Sequence, residues 1–209
     1  MGVQERRARE KQELRQEILD AARDLFVREG FDNVSMRKIA EKIEYSATTI
    51  YLYFLDKADL LDCIVEETFQ RLETRMATIH SSVPDPRERL IAGLRAYIDF
   101  GVDHPSDYRV AFLVERKGYE TGYPRCSALG QKLLDHVRQS VADCIRHGIF
   151  PVVDIEAVSQ TLWAAVHGMT SLLILRADFA WAPRDILVDQ LIDTLMKGLE
   201  CHQRACGAA

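Results

Sequence analysis

SMRKIAEKIEYSATTIYLYF, residues Ser35–Phe54, holds two short helical patterns, each headed by a serine. Ser35 is an N-cap, and Met36, Ile39, Ala40 and Ile43 recur at the spacing of one helix face. Glu44-Tyr45 reads as a tight turn, and Ser46 caps a second helix, Ala47–Phe54. Of the ten residues Tyr45–Phe54, six carry a hydroxyl, three of those are tyrosines, and none is charged. A buried strand would not carry so many hydroxyls, and a solvent loop would not hold so many rings. Two short helices across a tight turn make a helix-turn-helix, whose second helix enters the major groove of DNA while the first crosses the backbone.

A helical wheel of about 100° per residue sorts the second helix. Ile50 and Phe54 fall together, with Ala47 beside them, and face inward. Thr48 and Leu52 point the opposite way; Thr49 and Tyr53 lie on one flank and Tyr51 on the other. Threonine hydroxyls bond base edges or phosphates, and threonine and leucine carbons meet thymine methyls. Tyrosine hydroxyls donate to phosphate oxygens. A groove of DNA thus accounts for hydroxyls and rings on one uncharged segment. Positive charge comes from the neighbours Arg37, Lys38 and Lys57. From Met1 to Lys57 basic and acidic residues are equal, eleven each, so half-buried packing is the competing reading of the same tyrosines.

Helical periodicity extends outward in both directions. Leu14, Ile18, Ala21, Ala22 and Leu25 make one stripe after a charged start, and Gly30 sits where a helix ends. Asp56 caps a fourth helix with the stripe Leu61, Val65, Phe69, Leu72 and Met76. His80–Pro86 is the clearest linker. Helical stretches follow near 86–103, 105–116 and 125–148, broken by Pro105, by Gly118–Pro124, and by Gly148 and Pro151. Two more lie near 154–177 and 184–204, on either side of Ala182-Pro183. The expectation is an all-α fold of about nine helices. A three-helix helix-turn-helix domain, 1–58 with an arm at about 1–13, precedes a larger helical bundle, 59–209.

Composition narrows the function. The 209 residues are 47% hydrophobic and 28% charged, as in a globular protein. A net charge of −5 makes no global basic field, so anion binding must be local. No apolar run approaches the roughly 18–20 residues of a membrane span; SLLILRADFAW, Ser171–Trp181, breaks at Arg176 and Asp178. The charged start MGVQERRAREKQELRQE has no apolar segment of a secretory signal. Cys63, Cys126, Cys144, Cys201 and Cys206 are scattered without a C-x-x-C pair, which fits a reducing cytoplasm and no metal site. Cys201 and Cys206 are the nearest pair for a redox role, at poor helix-face spacing. There is no phosphate-loop glycine pattern, no H-E-x-x-H, no Glu-x-x-His pair and no nucleophile elbow. The expectation is a protein without enzymatic activity and without a cofactor.

Ile18–Leu61, ILDAARDLFVREGFDNVSMRKIAEKIEYSATTIYLYFLDKADLL, resembles the DNA-binding domain of the TetR family of transcriptional regulators. The matching features are ILDAA-x-x-LF-x-x-x-G-[FY], S-M-R-x-I-A, S-x-x-T-[IL]-Y-x-x-F and K-x-x-L-L, in fixed order over about a quarter of the chain. The resemblance implies that Ser35, Met36 and Arg37 present the second helix's N-terminus to the DNA backbone. It implies that Ser46, Ala47, Thr48 and Leu52 face the groove, that Tyr51 and Tyr53 hold phosphates, and that Lys57 pairs with one. Arg6, Arg7, Arg9 and Lys11 in the arm are either a phosphate or minor-groove contact or a solvated, disordered tail. Three positions depart from the family pattern. Glu44-Tyr45 replaces Gly-Val in the turn, Thr48 a glycine, and Tyr53 a histidine. The first puts a side chain where a left-handed backbone favours glycine.

The resemblance further implies a homodimer, paired through the last two helices, that binds a palindromic double-stranded operator. A small-molecule effector in the C-terminal helices would release it, making it a repressor. Leu187, Leu191, Leu195 and Leu199 at i+4 spacing, with Val158, Leu162, Ala165, Val166, Met169, Leu172 and Leu173, supply apolar surface for that seam or for the core. Trp163 and His167 in WAAVHGM resemble a Trp-x-x-x-His-Gly signature of one C-terminal subgroup, read as pocket or as core. Met76, Tyr97, Phe100, His104, Tyr108 and Phe112 are the other pocket candidates, and an apolar lining implies a hydrophobic or aromatic effector. The helix from Asp56 to His80 is the expected lever between ligand and DNA. The rival reading is a helical ligand-binding protein of the same fold with little specific DNA binding. The departures at Glu44, Thr48 and Tyr53 support that rival.

Overall fold

The structure, a computed structural model, describes residues 2–114 and 124–206, without the side chains of 124–127 and 201–206. Among the described residues there are nine helices and no strand. They are α1 (Val3–Glu29), α2 (Met36–Lys42), α3 (Ala47–Tyr51), α4 (Lys57–Ser82), α5 (Pro86–Asp103), α6 (Pro105–Phe112), α7 (Pro124–Arg146), α8 (Ile155–Leu175) and α9 (Arg184–Cys206). The expected break at Gly118–Pro124 falls, save for Pro124, outside the described residues, as do the side chains of Cys126, Cys201 and Cys206.

The chain divides into two compact units. The first comprises the described residues of Met1–Phe69 and Ser106–Ala128. Its core gathers Ile18, Leu19, Ala22, Leu25 and Phe26 from α1, Ile39 and Ala40 from α2, and Ile50 and Phe54 at α3. Leu60, Leu61, Ile64 and Val65 of α4 complete the side facing them. Val110 and Ala111 of α6, far along the chain, belong to the same cluster. Arg23 of α1 pairs with Asp107 of α6, both largely buried, and the Phe112 ring lies 5.3 Å from that of Phe69.

Several boundaries differ from expectation; α6, for one, ends at Phe112 rather than near 116. The arm at about 1–13 is not a separate tail, because α1 begins at Val3. Arg6–Glu10 at 3.3 Å and Arg9–Glu13 at 3.6 Å close i,i+4 pairs, and Glu5 accepts from the Gly2 amide at 2.8 Å. The acidic residues that interrupt the basic run in sequence thus support a helix in space. At the other end, α3 stops at Tyr51 rather than Phe54. The chain tightens there, with Tyr53 and Phe54 both donating to the Ile50 carbonyl at 2.9 and 3.1 Å.

The second unit comprises Gln70–Pro105 and Leu129–Ala209, of which the described residues run to Cys206. α5 is its inner helix: Leu90, Leu94, Ala96, Tyr97, Ile98 and Phe100 are all buried, and α8 and α9 pack on it. α8 turns Leu162, Val166, Thr170 and Ile174 inward, a stripe at i+4 spacing. α9 buries Val188, Ile192 and Met196; the leucines one position earlier, Leu187, Leu191 and Leu195, stay half-buried. Arg184 of α9 reaches Asp99 at 2.6 Å and Asp103 at 2.9 Å on α5.

α8 also corrects the reading that no apolar run reaches membrane length. By length and composition Ile155–Leu175 does reach it, with 28% of the window buried. Its alanines, glycine and threonines raise no alarm in a residue-by-residue count, yet they interrupt the leucines without a charge. The outward side carries Ala164, Gly168, Leu172 and Leu175, with Leu172 49% exposed. A Cβ built on Gly168 would meet nothing within 4 Å.

Candidate functional site

The α2–turn–α3 segment is set by its caps. The Ser35 hydroxyl accepts from Lys38 N at 3.2 Å, and the Ser46 hydroxyl from Thr49 N at 3.1 Å. Between them the chain makes a Schellman turn. Tyr45 N donates to Ala40 O at 3.0 Å and Glu44 N to Glu41 O at 3.3 Å, with Glu44 at φ 60°. The left-handed position foreseen at the missing glycine is therefore real, and a glutamate occupies it. The same motif closes α7, where Ile149 N reaches Cys144 O at 2.8 Å, Gly148 N reaches Ile145 O at 3.0 Å, and φ of Gly148 is 69°.

Burial along α3 follows the wheel. Ile50 and Phe54 are inside, and Ala47 is half-buried against the core. Thr48 is exposed, Tyr51 is 54% exposed and Leu52 75%. These three form one outer surface with Ser46. Thr49 is half-buried, and its hydroxyl lies 2.9 Å from that of Ser46, so the cap also fixes this flank. Tyr53 is half-buried with the Lys11 ammonium 6.0 Å from its ring centre, which brings a charge of α1 to the edge of the surface. Met36 is turned into the core at 6% exposure, so only its backbone remains for a ligand.

The basic residues divide sharply. Lys38 pairs with Glu29 and Lys42 with Asp24, so acidic groups of α1 neutralise both. Arg37 is exposed and, among the described residues, tied only to Glu41 at 2.8 Å on its own helix. Lys57 donates to the Phe31 carbonyl, and its ammonium sits 4.2 Å from the Phe31 ring centre. That bond anchors the loop after α1, a role its position in the sequence did not announce.

The residues expected around an effector fall into two groups. Tyr108 and Phe112 belong to the first unit, where Tyr108 is fully buried with the two rings 4.7 Å apart. Met76, Tyr97, Phe100, His104, Trp163 and His167 belong to the second. There Tyr97 Oη lies 3.1 Å from His167 Nδ1, and the Trp163 ring stacks 5.6 Å from His167. Burial holds the His167 imidazole below its ordinary pKa. Trp163 itself is 43% exposed, so it stands on the surface. Phe100 packs on His104 at 5.2 Å, with Arg71 5.5 Å from its ring.

A cleft between α4, α5 and α7 was not foreseen, apart from Met76. Met76, Leu90 and Leu94 form its apolar wall, and His80, Arg89, His136 and Ser140 its polar one. Its volume is about 280 Å³ counted to the open mouth, with an inner space of about 20 Å³. Four polar residues from three helices, up to sixty positions apart, leave no spacing to read in a sequence.

A capped two-helix unit presenting hydroxyls on a buried apolar footing defines a helix-turn-helix protein. Family comparison gives the particular kind. Residues 18–64 match the model "Bacterial regulatory proteins, tetR family", and residues 90–199, more than half of the chain, match "Tetracyclin repressor-like, C-terminal domain". The chain belongs to the TetR family of bacterial regulatory proteins. An HTH-type transcriptional regulator of Staphylococcus aureus is 30% identical over 44% of this chain and 50% of its own. The HTH-type transcriptional activator FasR of Mycolicibacterium smegmatis is 30% identical over 48% of this chain and 46% of its own. The chain thus spans about half the length of the curated relatives it matches. Among solved structures, the fatty acid degradation regulator FadR of Bacillus halodurans has TM-score 0.77 at 19% identity, covering 88% of this chain and 95% of its own. FadR of Bacillus subtilis, solved with stearoyl-CoA, has TM-score 0.77 at 18% identity over 88% and 98%. At such identities these two establish the shared fold.

Proposed function

We propose that this chain is a ligand-responsive transcriptional repressor, binding a palindromic operator as a homodimer and released by a small-molecule effector. The observation that carries the reading is the outer surface of α3, where Thr48, Tyr51 and Leu52 stand exposed on a helix whose other side is core. Ser46, Ala47, Thr48 and Leu52 face the groove; Ser35, Met36 and Arg37 meet the backbone; Tyr51, Tyr53 and Lys57 hold phosphates. Residues 1–58 make the DNA contacts, and 59–209 sense the ligand and pair the subunits. The exposed apolar side of α8 and the half-buried leucines of α9 form the seam. Recognition helices in a symmetric pair must match half-sites about 34–36 Å apart or a multiple. An effector that prefers another arrangement lowers DNA affinity by its own differential affinity for the two states. The relatives are named as regulators, in line with a protein that works in the cytoplasm without catalysing a reaction. One is an activator, so the sign of regulation is part of the proposal.

Neutralised Lys38 and Lys42, and a Lys57 engaged by Phe31, favour a second reading: a ligand-binding protein of this fold with little specific DNA affinity. Selection of duplexes from a random library, then anisotropy against salt, separates the two. An enriched palindrome with affinity falling steeply as salt rises supports the repressor, through release of condensed counterions. No enrichment and weak binding to every duplex supports the alternative.

A further inference from the structure

The polar wall of the α4–α5–α7 cleft is built for a negative group. The Arg89 side chain is only 10% exposed. Its Nη2 pairs with Asp143, and its Nη1 lies 3.4 Å from the Val83 carbonyl. Its Nε is buried and has no hydrogen-bond partner among the described residues. The Nδ1 of His80, on the same cleft, is in the same condition. A buried polar atom left unpaired costs about 1–3 kcal/mol; His80 Nδ1 joins Arg89 Nε as a donor in the state that carries its proton there. His136 stands 5.4 Å from His80, ring to ring, with Nε2 3.6 Å from Glu73. The Ser140 hydroxyl donates to the His136 carbonyl at 2.9 Å. Arginine Nε can only donate. A ligand must therefore bring an acceptor, and a cation would meet a guanidinium.

We propose that this cleft receives a small amphipathic monocarboxylic acid, its carboxylate accepting from Arg89 Nε and His80 Nδ1 and its apolar body lying along Met76, Leu90 and Leu94. The proposal rests on the effector-responsive reading and gives the effector its chemical class. An inner space of about 20 Å³ holds about one water, so the body must enter through the mouth and displace the flexible Met76 thioether. That limits the acid to a short or flat one. Gly93 lines the same cleft, where an added Cβ would meet only Met76 Sδ at 3.8 Å. A side chain larger than alanine there would occupy the ligand's path while leaving the charges in place.

Binding is coupled to protons. In the structure the His80 imidazole is held below its ordinary value, through burial first and then the nearby Arg89 and His136; Asp143 acts in the opposite sense. The other charged groups around it are Glu73 on α4 and Arg146, which pairs with Asp143 on α7. A bound carboxylate raises His80 again, so binding takes up a proton near neutral pH. Affinity is highest where the ligand's carboxyl is ionised and His80 is protonated, and declines as pH rises through the value of the occupied site.

The test is calorimetry on the full chain with hexanoate, hexanol and hexylamine. Hexanoate should bind at least about tenfold tighter than hexanol, the difference expected of charge-assisted hydrogen bonds, and hexylamine should not bind. Heats measured in two buffers of different ionisation enthalpy should reveal proton uptake, absent in His80→Asn. Gly93→Leu should abolish binding. Arg89→Gln alone leaves Asp143 with Arg146 and Gln139 but without its buried partner, so Arg89→Gln with Asp143→Asn is the companion, and it should lose the preference for acid over alcohol. Equal binding of hexanol and hexanoate, no heat with hexanoate, or a preference that survives both His80→Asn and the double variant overturns the proposal. Anisotropy on the same protein keeps the two readings apart. Specific DNA binding without hexanoate binding removes the cleft and leaves the regulator. Hexanoate binding without DNA binding does the reverse.

Discussion

Glu44 and Gly148 hold the same place in the same turn, and only one of them suits it. A side chain in the left-handed region costs roughly 1–2 kcal/mol that glycine avoids, part of which glycine returns as chain entropy on folding. Glu44→Gly should therefore stabilise the protein by about 1 kcal/mol, and Gly148→Ala should destabilise it by about the same. Urea unfolding midpoints of the two variants check both signs. Lys57 is similarly placed by its neighbours. Lys57→Ala should cost about 1 kcal/mol in stability, through the lost contact with Phe31, and should weaken binding to all DNA sequences alike. Thr48→Ala should change base preference at unchanged stability. If Lys57→Ala leaves both affinity and salt slope intact, the docking proposed above is wrong. At this scale the sequence was readable wherever one residue's neighbours are local. The cap serines, the inward Ile50 and Phe54 and the strained turn all follow from residues within five positions. Met36 was legible too, from the stripe it shares with Ile39 and Ala40, but Lys57 was not, because its partner, the carbonyl of Phe31, lies far away in the chain.

Among the elements, α6 carries the least expected role. Proline before it and apolar spacing within it marked a helix, but nothing marked which core it would join. Val110 and Ala111 settle that by lying among the side chains of α1 and α4, with Arg23 and Asp107 paired beside them. Removing one partner of a buried pair leaves the other charge stranded. Arg23 keeps Asp20 as a second partner, so Asp107→Ala should destabilise the first unit by less than the about 3–5 kcal/mol of a fully stranded buried charge, while replacing the pair together by apolar residues should cost less still. Thermal unfolding of the single and double variants decides it. α8 makes the opposite case. Its inward stripe was legible from period alone, while its outward one looks like any apolar helix face until the fold is known to leave it uncovered. Leu172→Glu should leave the subunit folded, since that side chain is half exposed, and should convert a dimer to a monomer in sedimentation. A dimer that survives the change would place the seam elsewhere.

The whole molecule should soften in mild acid. Burial keeps His167 and His80 below their ordinary values in the folded chain. The unfolded chain then binds more protons in the window between the lowered values and the usual one near pH 6.5. Their contribution to stability is complete above that window and is lost as pH falls through it. His167→Gln should flatten the fall in urea midpoint between about pH 7.5 and 5 relative to the parent protein. Cys144 contributes nothing to such changes, because burial pushes its thiol up to about 11. It should also resist alkylation until the protein unfolds.

The chain enters its first unit twice, once before Phe69 and again at Ser106, and this limits how such regulators can be recombined. A hybrid joined at a single crossover near residue 58 or 70 would take α1–α3 from one parent and α6, which shares their core, from another. Val110 and Ala111 would then face a foreign core, and Asp107 a foreign partner. A working exchange of second units needs α6 to travel with α1–α3, as two crossovers rather than one.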